Sequence, residues 1–383
     1  MYQAFKYRLE PNKSQERELE IVLETHRRLY NDCLEQRKTA YESEKRTLKY
    51  TEQSAWFKSQ RTDNPWFAAL NFSSAQATMR RLDKAFAAFF QRIKAGQTPG
   101  YPRFRSRSRF DSFTYPSLGD GVRVMGRKLR LQRIGLVRIN LHRPTEGEAK
   151  TVTVLTKGGK WYVVITCEVE GWNAPDSPLP ATGIDVGIES FLTTADGFSV
   201  PTVRPLKHQL KRLRREQRSL SRKKRGSKSR LKQRRKVARV HARVANTRRD
   251  VHHKVSRELT RRYGAIAVEN LNIAGMLRNH CLARAIADAG WYQFRLILTH
   301  KAEKAGVQVV GVNARGTSQE CSACGLEVKK MLSVRWHECS CGCSLHRDQN
   351  AARNILNRGL LAGMRPGNVK AGDTRLCSRS RLL

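Results

Sequence analysis

The sequence predicts a multidomain α+β protein, and three observations carry the prediction. Apolar residues recur at helical spacing between 13 and 93 and then alternate at strand spacing through 122–170. A second series of strands and helices opens at 181, behind a Pro-rich stretch. Five of the nine cysteines crowd into 321–343. A chain of 383 residues has room for two or three domains and at least one large core.

YQAFKYRL (2–9) alternates as one strand. Asn12 with Gln15 then marks a helix start, because an Asn side chain can accept from the backbone three residues on while the Gln reaches back. Leu19, Val22, Leu23, Leu29, Tyr30, Cys33 and Leu34 fall on one helical face, and Met79, Leu82, Phe86, Phe89 and Phe90 line a second helix. Those aromatics keep the helical period, so they are expected in the core rather than as platforms for bases. From Gly96, GQTPGYPRFRSRSRF mixes Arg with Tyr and Phe between chain breakers, which suits a loop meeting phosphates and exposed bases. VRVMGRKLRL, GLVRINL, KTVTVLT and KWYVVITCEVE read as short strands, the last two joined by the turn Lys157-Gly158-Gly159-Lys160. Residues 1–12 and 94–172 therefore predict a β-barrel or open sheet, completed by the N-terminal strand, with 13–93 as a helical insertion.

Residues 173–180 read as a linker. Beyond it, 181–318 and 345–360 predict an α/β domain. GIDVGI and FLTTAD form a hairpin, AIAVENLN and VQVVGVNA are later strands, AIADAGWYQFRLILTHKAEKAG is one helix, and HRDQNAARNILNRG is the last. Residues 201–262 hold 25 Lys and Arg against three Asp and Glu. Val237, Val240, Val244, Val251, Val255 and Leu259 nevertheless keep one stripe, so 204–262 is expected to be a basic helical hairpin broken at Gly226 and stopped by Gly264. Residues 361–383 lack periodicity and read as a disordered basic tail.

The formal net charge is +41. Self-repulsion on that scale is relieved by a polyanion, which points to nucleic acid. No apolar stretch reads as a signal region or a membrane span, so a soluble, cytoplasmic protein with no membrane partner is expected.

Three acids are candidates for one site. Asp185 lies on the first strand of the α/β domain, Glu269 at the end of a later one, and Asp348 at the start of the last helix. Alone, each has a plain explanation: a paired strand Asp, an exposed strand-end Glu, a helix cap. In this element order, however, the two strands can lie side by side with the helix end across them, bordering the crevice at the carboxyl ends of the strands. Carboxylates so close repel unless cations lie between them. Mg²⁺ or Mn²⁺ suits such oxygen donors, and a pair of ions serves phosphodiester cleavage. Cys321 and Cys324, with Cys339, Cys341 and Cys343 in 319–344, predict a tetrahedral zinc ribbon with a structural role.

GIDVGIESFLTTADG, VENLNIAGM, GTSQECSACG and RDQNAARNIL, with YRLEPNKSQ and AGQTPGYPRF near the start, together resemble the TnpB family of transposon-encoded RNA-guided DNA endonucleases, relatives of the type V CRISPR effectors. The resemblance implies an RNase H-like (RuvC) α/β nuclease domain with the zinc ribbon inserted, and a β-barrel wedge domain carrying a helical recognition insertion. It implies Asp185, Glu269 and Asp348 as the nuclease triad holding Mg²⁺ or Mn²⁺. A guide RNA from the transposon end and target double-stranded DNA beside a short transposon-adjacent motif are the implied partners. Against the family's usual CxxCG, this chain has CxCGC. Cys341 then matches the last ligand and Cys339 the third, with Cys343 as the alternative and His337 or His346 behind it. His346 stands where relatives carry Asp. Asn350 either orients Asp348 or a metal-bound water, or caps the helix. Two other readings are a catalytically silent RNA-guided repressor or accessory transposition protein, and a strand-transfer transposase. The three acids argue against loss of activity, and no separate tyrosine or acidic constellation supports strand transfer.

Overall fold

A computed structural model describes residues 1–171, 177–331 and 334–365, and its contacts divide the chain into Met1–Gly171 and Trp172–Leu383. In the first unit, β1 (Tyr2–Glu10) leads into four helices: α1 (Lys13–Glu44), α2 (Tyr50–Asp63), α3 (Pro65–Ala68) and α4 (Phe72–Lys94). The expected capping box is present, with Asn12 Oδ1 accepting from the Gln15 N–H at 2.8 Å and Gln15 Oε1 accepting from the Asn12 N–H at 3.1 Å. Leu29, Tyr30, Cys33 and Leu34 of α1 pack with Met79 and Leu82 of α4, and Phe57 of α2 and Phe67 of α3 complete that core. The apolar periodicity predicts two helices here; α2 and α3 are additional. The same period predicts Phe90 in the core, but Phe90 is 49% exposed and Phe86 and Phe89 are half-buried, because α4 runs past the end of the layer it packs on. In the loop after it, Tyr101 and Phe104 are exposed, whereas Phe110 returns to the helical core.

The remaining strands are β2 (Ser112–Tyr115), β3 (Val122–Met125), β4 (Lys128–Leu131), β5 (Gly135–Asn140), β6 (Glu148–Lys157) and β7 (Lys160–Glu168), in the order β2-β6-β7-β1-β5-β4-β3, all antiparallel. The N-terminal strand completes this sheet from its centre. It joins the β6–β7 hairpin, whose two-residue turn has Gly158 and Gly159 both at positive φ, to the β3–β4–β5 meander. Laid flat, the two edge strands would stand about 29 Å apart. Yet Tyr115 of β2 and Val122 of β3 are seven residues apart in the chain, a span of at most about 25 Å fully stretched. The sheet must curl, and it does so around one core shared by Phe113 and Tyr115 of the edge strand β2 and Val122 of the edge strand β3, with Leu129 of β4 beside it.

The second unit begins with β8 (Ala181–Asp185), β9 (Ser190–Thr194) and β10 (Ser199–Pro201), followed by α5 (Pro205–Ser221) and α6 (Lys228–Arg262). Then come β11 (Ala265–Glu269), α7 (Ile273–Met276), α8 (Ala283–Ala289), α9 (Trp291–Lys304), β12 (Gln308–Val312), the small hairpin β13 (Trp336–Glu338) and β14 (Ser344–His346), and α10 (Arg347–Leu361). The main sheet runs β10-β9-β8-β11-β12, with β8, β11 and β12 parallel and the first two connections antiparallel. Its strands alternate between two helical layers. Ile184, Ile266 and Val268 pack with Val255 and Leu259 of α6 and Phe294 and Leu298 of α9, whereas Ala181, Ala265 and Ala267 pack with Ile355 and Leu356 of α10.

Two glycines let α10 lie directly on the sheet. A Cβ on Gly183 would stand 2.1 Å from the Ala352 carbonyl oxygen, and one on Gly359 would stand 2.6 Å from the Ala267 Cβ. The basic hairpin forms as expected, with Gly226 at φ +85° between α5 and α6 and a seam through Leu213, Val240 and Val244. Gly264, in contrast, does not terminate α6. Tyr263 caps it in an extended conformation, and Gly264 is small because a Cβ there would meet the Leu179 and Ser177 carbonyl oxygens at 2.6 Å. The helix expected over 285–306 is two helices, split by Gly290 at φ +67°. α10 continues through Leu361, and Met364 is buried against the sheet, so the expected tail does not begin at 361. Residues 366–383 of that tail and 173–176 of the linker lie outside the described residues.

Candidate functional site

Asp185 ends β8 and Glu269 ends β11, and the parallel ladder that pairs Ile184 with Val268 sets these two acids side by side at its next step. Both continue the alternation that faces α10, since Gly183 and Ala267, two residues earlier on each strand, touch that helix. Asp348 is in the first turn of α10, one turn ahead of Ala352, which rides on Gly183. The fold thus aims all three acids at the carboxyl ends of the parallel strands.

The electrostatics agree with that placement. Burial raises the Asp185 carboxyl well above the usual carboxylate range, the charges of Glu269 and Asp348 push it further, and Arg347 pulls the other way. Burial also raises Glu269, against a hydrogen bond from Thr317 and the charge of Arg358. Such a cluster is short of positive charge, and oxygen donors in this setting fit a hard divalent cation. Among the described residues, the groups whose possible ligand atoms all lie within 4.8 Å of one another are the cysteine-based ones, not these three acids. One ion taking an oxygen from each acid would need those oxygens within about 4.2 Å, twice a Mg–O bond. Two ions about 4 Å apart accept a wider spread.

Asp348 is not the helix cap. His346 caps α10, its Nδ1 accepting from the Asp348 N–H at 3.3 Å, which leaves the Asp348 carboxylate free of that task. Asn350 neither caps the helix nor orients Asp348. Its Nδ2 donates to the Glu320 carbonyl at 2.7 Å and its Oδ1 accepts from the Ser322 N–H at 2.9 Å, tying the cysteine loop to α10.

Cys321, Cys324, Cys339 and Cys341 form one cluster, with Sγ–Sγ distances of 3.7 Å for Cys321–Cys341 and 3.6 Å for Cys324–Cys339. A zinc tetrahedron with bonds of about 2.3 Å has edges of about 3.8 Å. For Cys321, burial works against ionisation, but the backbone N–H groups of Cys324 and Ala323 and the His337 ring outweigh it and draw the thiol down to about 5. The Cys341 N–H lowers Cys339 in the same way. Donor identity and spacing fit zinc, and the thiols divide: the N–H groups draw Cys321 and Cys339 down, while for Cys341 the bond from the Cys343 N–H is outweighed by the neighbouring thiols, which push it up. Cys343 and His337 make a second group with Cys321. It has three donors to the other's four, and His337, fully buried, meets Lys330 Nζ through Nδ1. His346 belongs to neither group.

Sequence reasoning missed Thr317, whose hydroxyl donates to Glu269 Oε1 at 2.6 Å, and Asp288, whose carboxylate accepts from the Leu206 and Lys207 N–H groups and caps α5 from another helix. Neither position carries a local signal, because each partner is distant in sequence.

Three family profiles match the chain: one described as "Probable transposase" over residues 150–280, "Cas12f1-like, TNB domain" over 291–355, and "Helix-turn-helix domain" over 1–46. The last description does not fit the structure, where those residues form β1 and the unbroken α1. A "Putative RNA-guided DNA endonuclease" of Streptomyces pristinaespiralis is 36% identical over 377 residues, covering 95% of this chain and 92% of the relative. The "Putative RNA-guided DNA endonuclease InsQ" of Escherichia coli is 32% identical, covering 93% and 92%. Among solved structures, the mini-RNA-guided endonuclease CRISPR-Cas_phi3 shares the fold with a TM-score of 0.50 at 10% identity, covering 96% of this chain and 93% of its own. With full-length relatives at this identity, and with the motifs of the acid and cysteine sites in the family's order, the chain belongs to the TnpB family.

Proposed function

We propose that this chain is the nuclease of an RNA-guided complex, cleaving double-stranded DNA beside a short transposon-adjacent motif at one RuvC-like site. What supports the reading is that Asp185, Glu269 and Asp348 stand at the carboxyl ends of β8 and β11 and the start of α10, and that the charges of Glu269 and Asp348 both act on the buried Asp185 carboxyl. The parallel β8-β11-β12 core with an antiparallel hairpin beside β8 supports an RNase H-like domain, and the curled sheet of the first unit supports a wedge domain with the four helices as its recognition insertion. The three acids would hold Mg²⁺ or Mn²⁺ as an ion pair, and when bound such ions activate a water and stabilise the leaving oxygen. The protein's own part is to hold the carboxylates and to grip phosphates. Arg and Lys of α5, α6 and the 96–110 loop supply that grip, while base pairing to a guide RNA from the transposon end selects the target. The cysteine cluster would hold a structural Zn²⁺ that fixes the loop leading into α10. The protein would work in the cytoplasm, on nucleoid DNA.

The test is plasmid cleavage by the protein purified with its RNA. Cutting should require a divalent cation, start beside one fixed motif, and fall below detection in Asp185→Ala. Continued cutting by that variant overturns the assignment of the acids. Guide-dependent DNA binding without cation-dependent cutting by the wild type favours the silent repressor.

A further inference from the structure

Thr317 lies on the loop between β12 and Cys321, and the residue is 4% exposed. A hydroxyl has one proton to give. The 2.6 Å contact with Glu269 Oε1 is short and charge-assisted, and the competing Ala314 carbonyl is at 3.1 Å. The loop is held from below by three side chains one turn apart on α10. Asn350 bonds the Glu320 carbonyl and the Ser322 N–H. Asn354 Nδ2 donates to the Thr317 carbonyl at 2.9 Å and the Glu320 carbonyl at 2.7 Å. Arg358 pairs both oxygens of the Glu320 carboxylate and donates to the Asn313 and Arg315 carbonyls. The clamp spans 313–322 and includes Cys321, so the same stretch carries one thiol of the cysteine cluster and the hydroxyl that touches Glu269.

We propose that Thr317 is the positioning residue for Glu269, clamped by Asn350, Asn354 and Arg358, so that the cysteine loop and the cation site are set as one piece. The proposal rests on Glu269 as a cation ligand. By bonding Oε1, the hydroxyl restrains rotation of the carboxylate, which would leave Oε2 to face a cation. Val in place of Thr keeps the shape and loses the proton; Ser keeps the proton and loses the methyl.

The experiment titrates Mn²⁺ into the full-length protein without RNA, following free Mn²⁺ by electron paramagnetic resonance, with Glu269→Gln as the blank. Cleavage of a plasmid by the RNA-loaded protein is measured against Mg²⁺ concentration in parallel. Groups that orient a ligand in this way typically contribute about tenfold or more in metal affinity. Thr317→Val and Thr317→Ala are expected to weaken Mn²⁺ binding and raise the half-saturating Mg²⁺ about tenfold, with Thr317→Ser close to wild type and zinc content unchanged. If Val is poorly folded, the Ser and Ala pair still decides. Equal metal dependence in all variants, or Ser as weak as Ala, overturns the role of the hydroxyl. A wild type that neither binds Mn²⁺ above the blank nor cleaves overturns the nuclease reading itself, a result distinct from the other two.

Discussion

Gly183→Ala tests whether the acid site is built by the contact of α10 with β8. The added Cβ would stand 2.1 Å from the Ala352 carbonyl oxygen, 2.4 Å from the Leu356 backbone nitrogen and 3.0 Å from its Cα. All three are backbone atoms of a helix, so no rotamer change relieves the contact. Reaching even a tight separation moves α10 off the strand by about 1 Å, and overpacking of this kind costs about 1–3 kcal/mol. Asp348 sits one turn before Ala352 and moves with it, while Asp185 stays on β8. A misplacement of about 1 Å at reacting groups can cost about a hundredfold in rate. Urea denaturation should show a lower midpoint with an unchanged slope, and cleavage by the RNA-loaded variant should fall far more than the stability loss explains. Gly359→Ala meets the Ala267 Cβ at 2.6 Å farther along α10, so it should lower stability with a smaller effect on rate. Gly183→Ala with wild-type stability and wild-type cleavage would falsify the reasoning.

Two further predictions concern other parts of the chain. Cys341→Ser should lose the zinc equivalent and Cys343→Ser should keep it, read by elemental analysis of the purified proteins; the reverse result would move the fourth ligand to the group containing His337. In the first unit, burial, helped by the charge of Arg81, pushes His26 down to about 3 from 6.5. The unfolded chain therefore takes up a proton below pH 6.5 that the folded protein refuses until about pH 3, and stability present above pH 6.5 is lost as pH falls through that window. Between pH 7 and 5 the loss is about 2 kcal/mol. His26→Gln should flatten this acid limb in urea titrations, whatever its cost at neutral pH, and an unchanged slope would show that the ring is not what titrates.

What the sequence made legible was local. Asn12 with Gln15 and the Lys157–Lys160 turn carry their own hydrogen-bonding chemistry within four residues, and both form as read. The apolar stripe of α6 survives in a stretch, 201–262, that holds 25 Lys and Arg, because periodicity outlasts composition. The placement of Asp185 beside Glu269 was legible because element order permits few topologies. What failed was tertiary. Gly264 looks like a helix stop but is small because the chain from 177 to 180 passes over it. Asn350 and Asp348 both look like caps, while His346 does the capping. α2 went unseen because its apolar face is only Phe57 with half-buried neighbours, too thin for a periodic signal. Thr317 and Asp288 bond partners 48 and 82 residues away, a distance at which spacing carries no information.

The three acids are not held alike, and that difference has a consequence. Asp185 rests on β8, which has hydrogen-bonded neighbours on both sides. Glu269 has the same sheet behind it but owes its side-chain hydrogen bond to Thr317, on the loop that ends in the cysteine cluster. Asp348 follows directly on β14, the second strand of the hairpin that carries Cys339, Cys341 and Cys343. An ion in the cysteine cluster would therefore brace the approach to two of the acids while leaving the third untouched. Its loss would loosen the hairpin at the entry to α10, whereas the loop before Cys321 keeps its bonds to Asn350, Asn354 and Arg358, and the ladder of β8 with β11 depends on neither. The expected failure on zinc loss is thus a chain that keeps its central sheet and the Thr317 contact of Glu269 but loses the registration of Asp348 against Asp185.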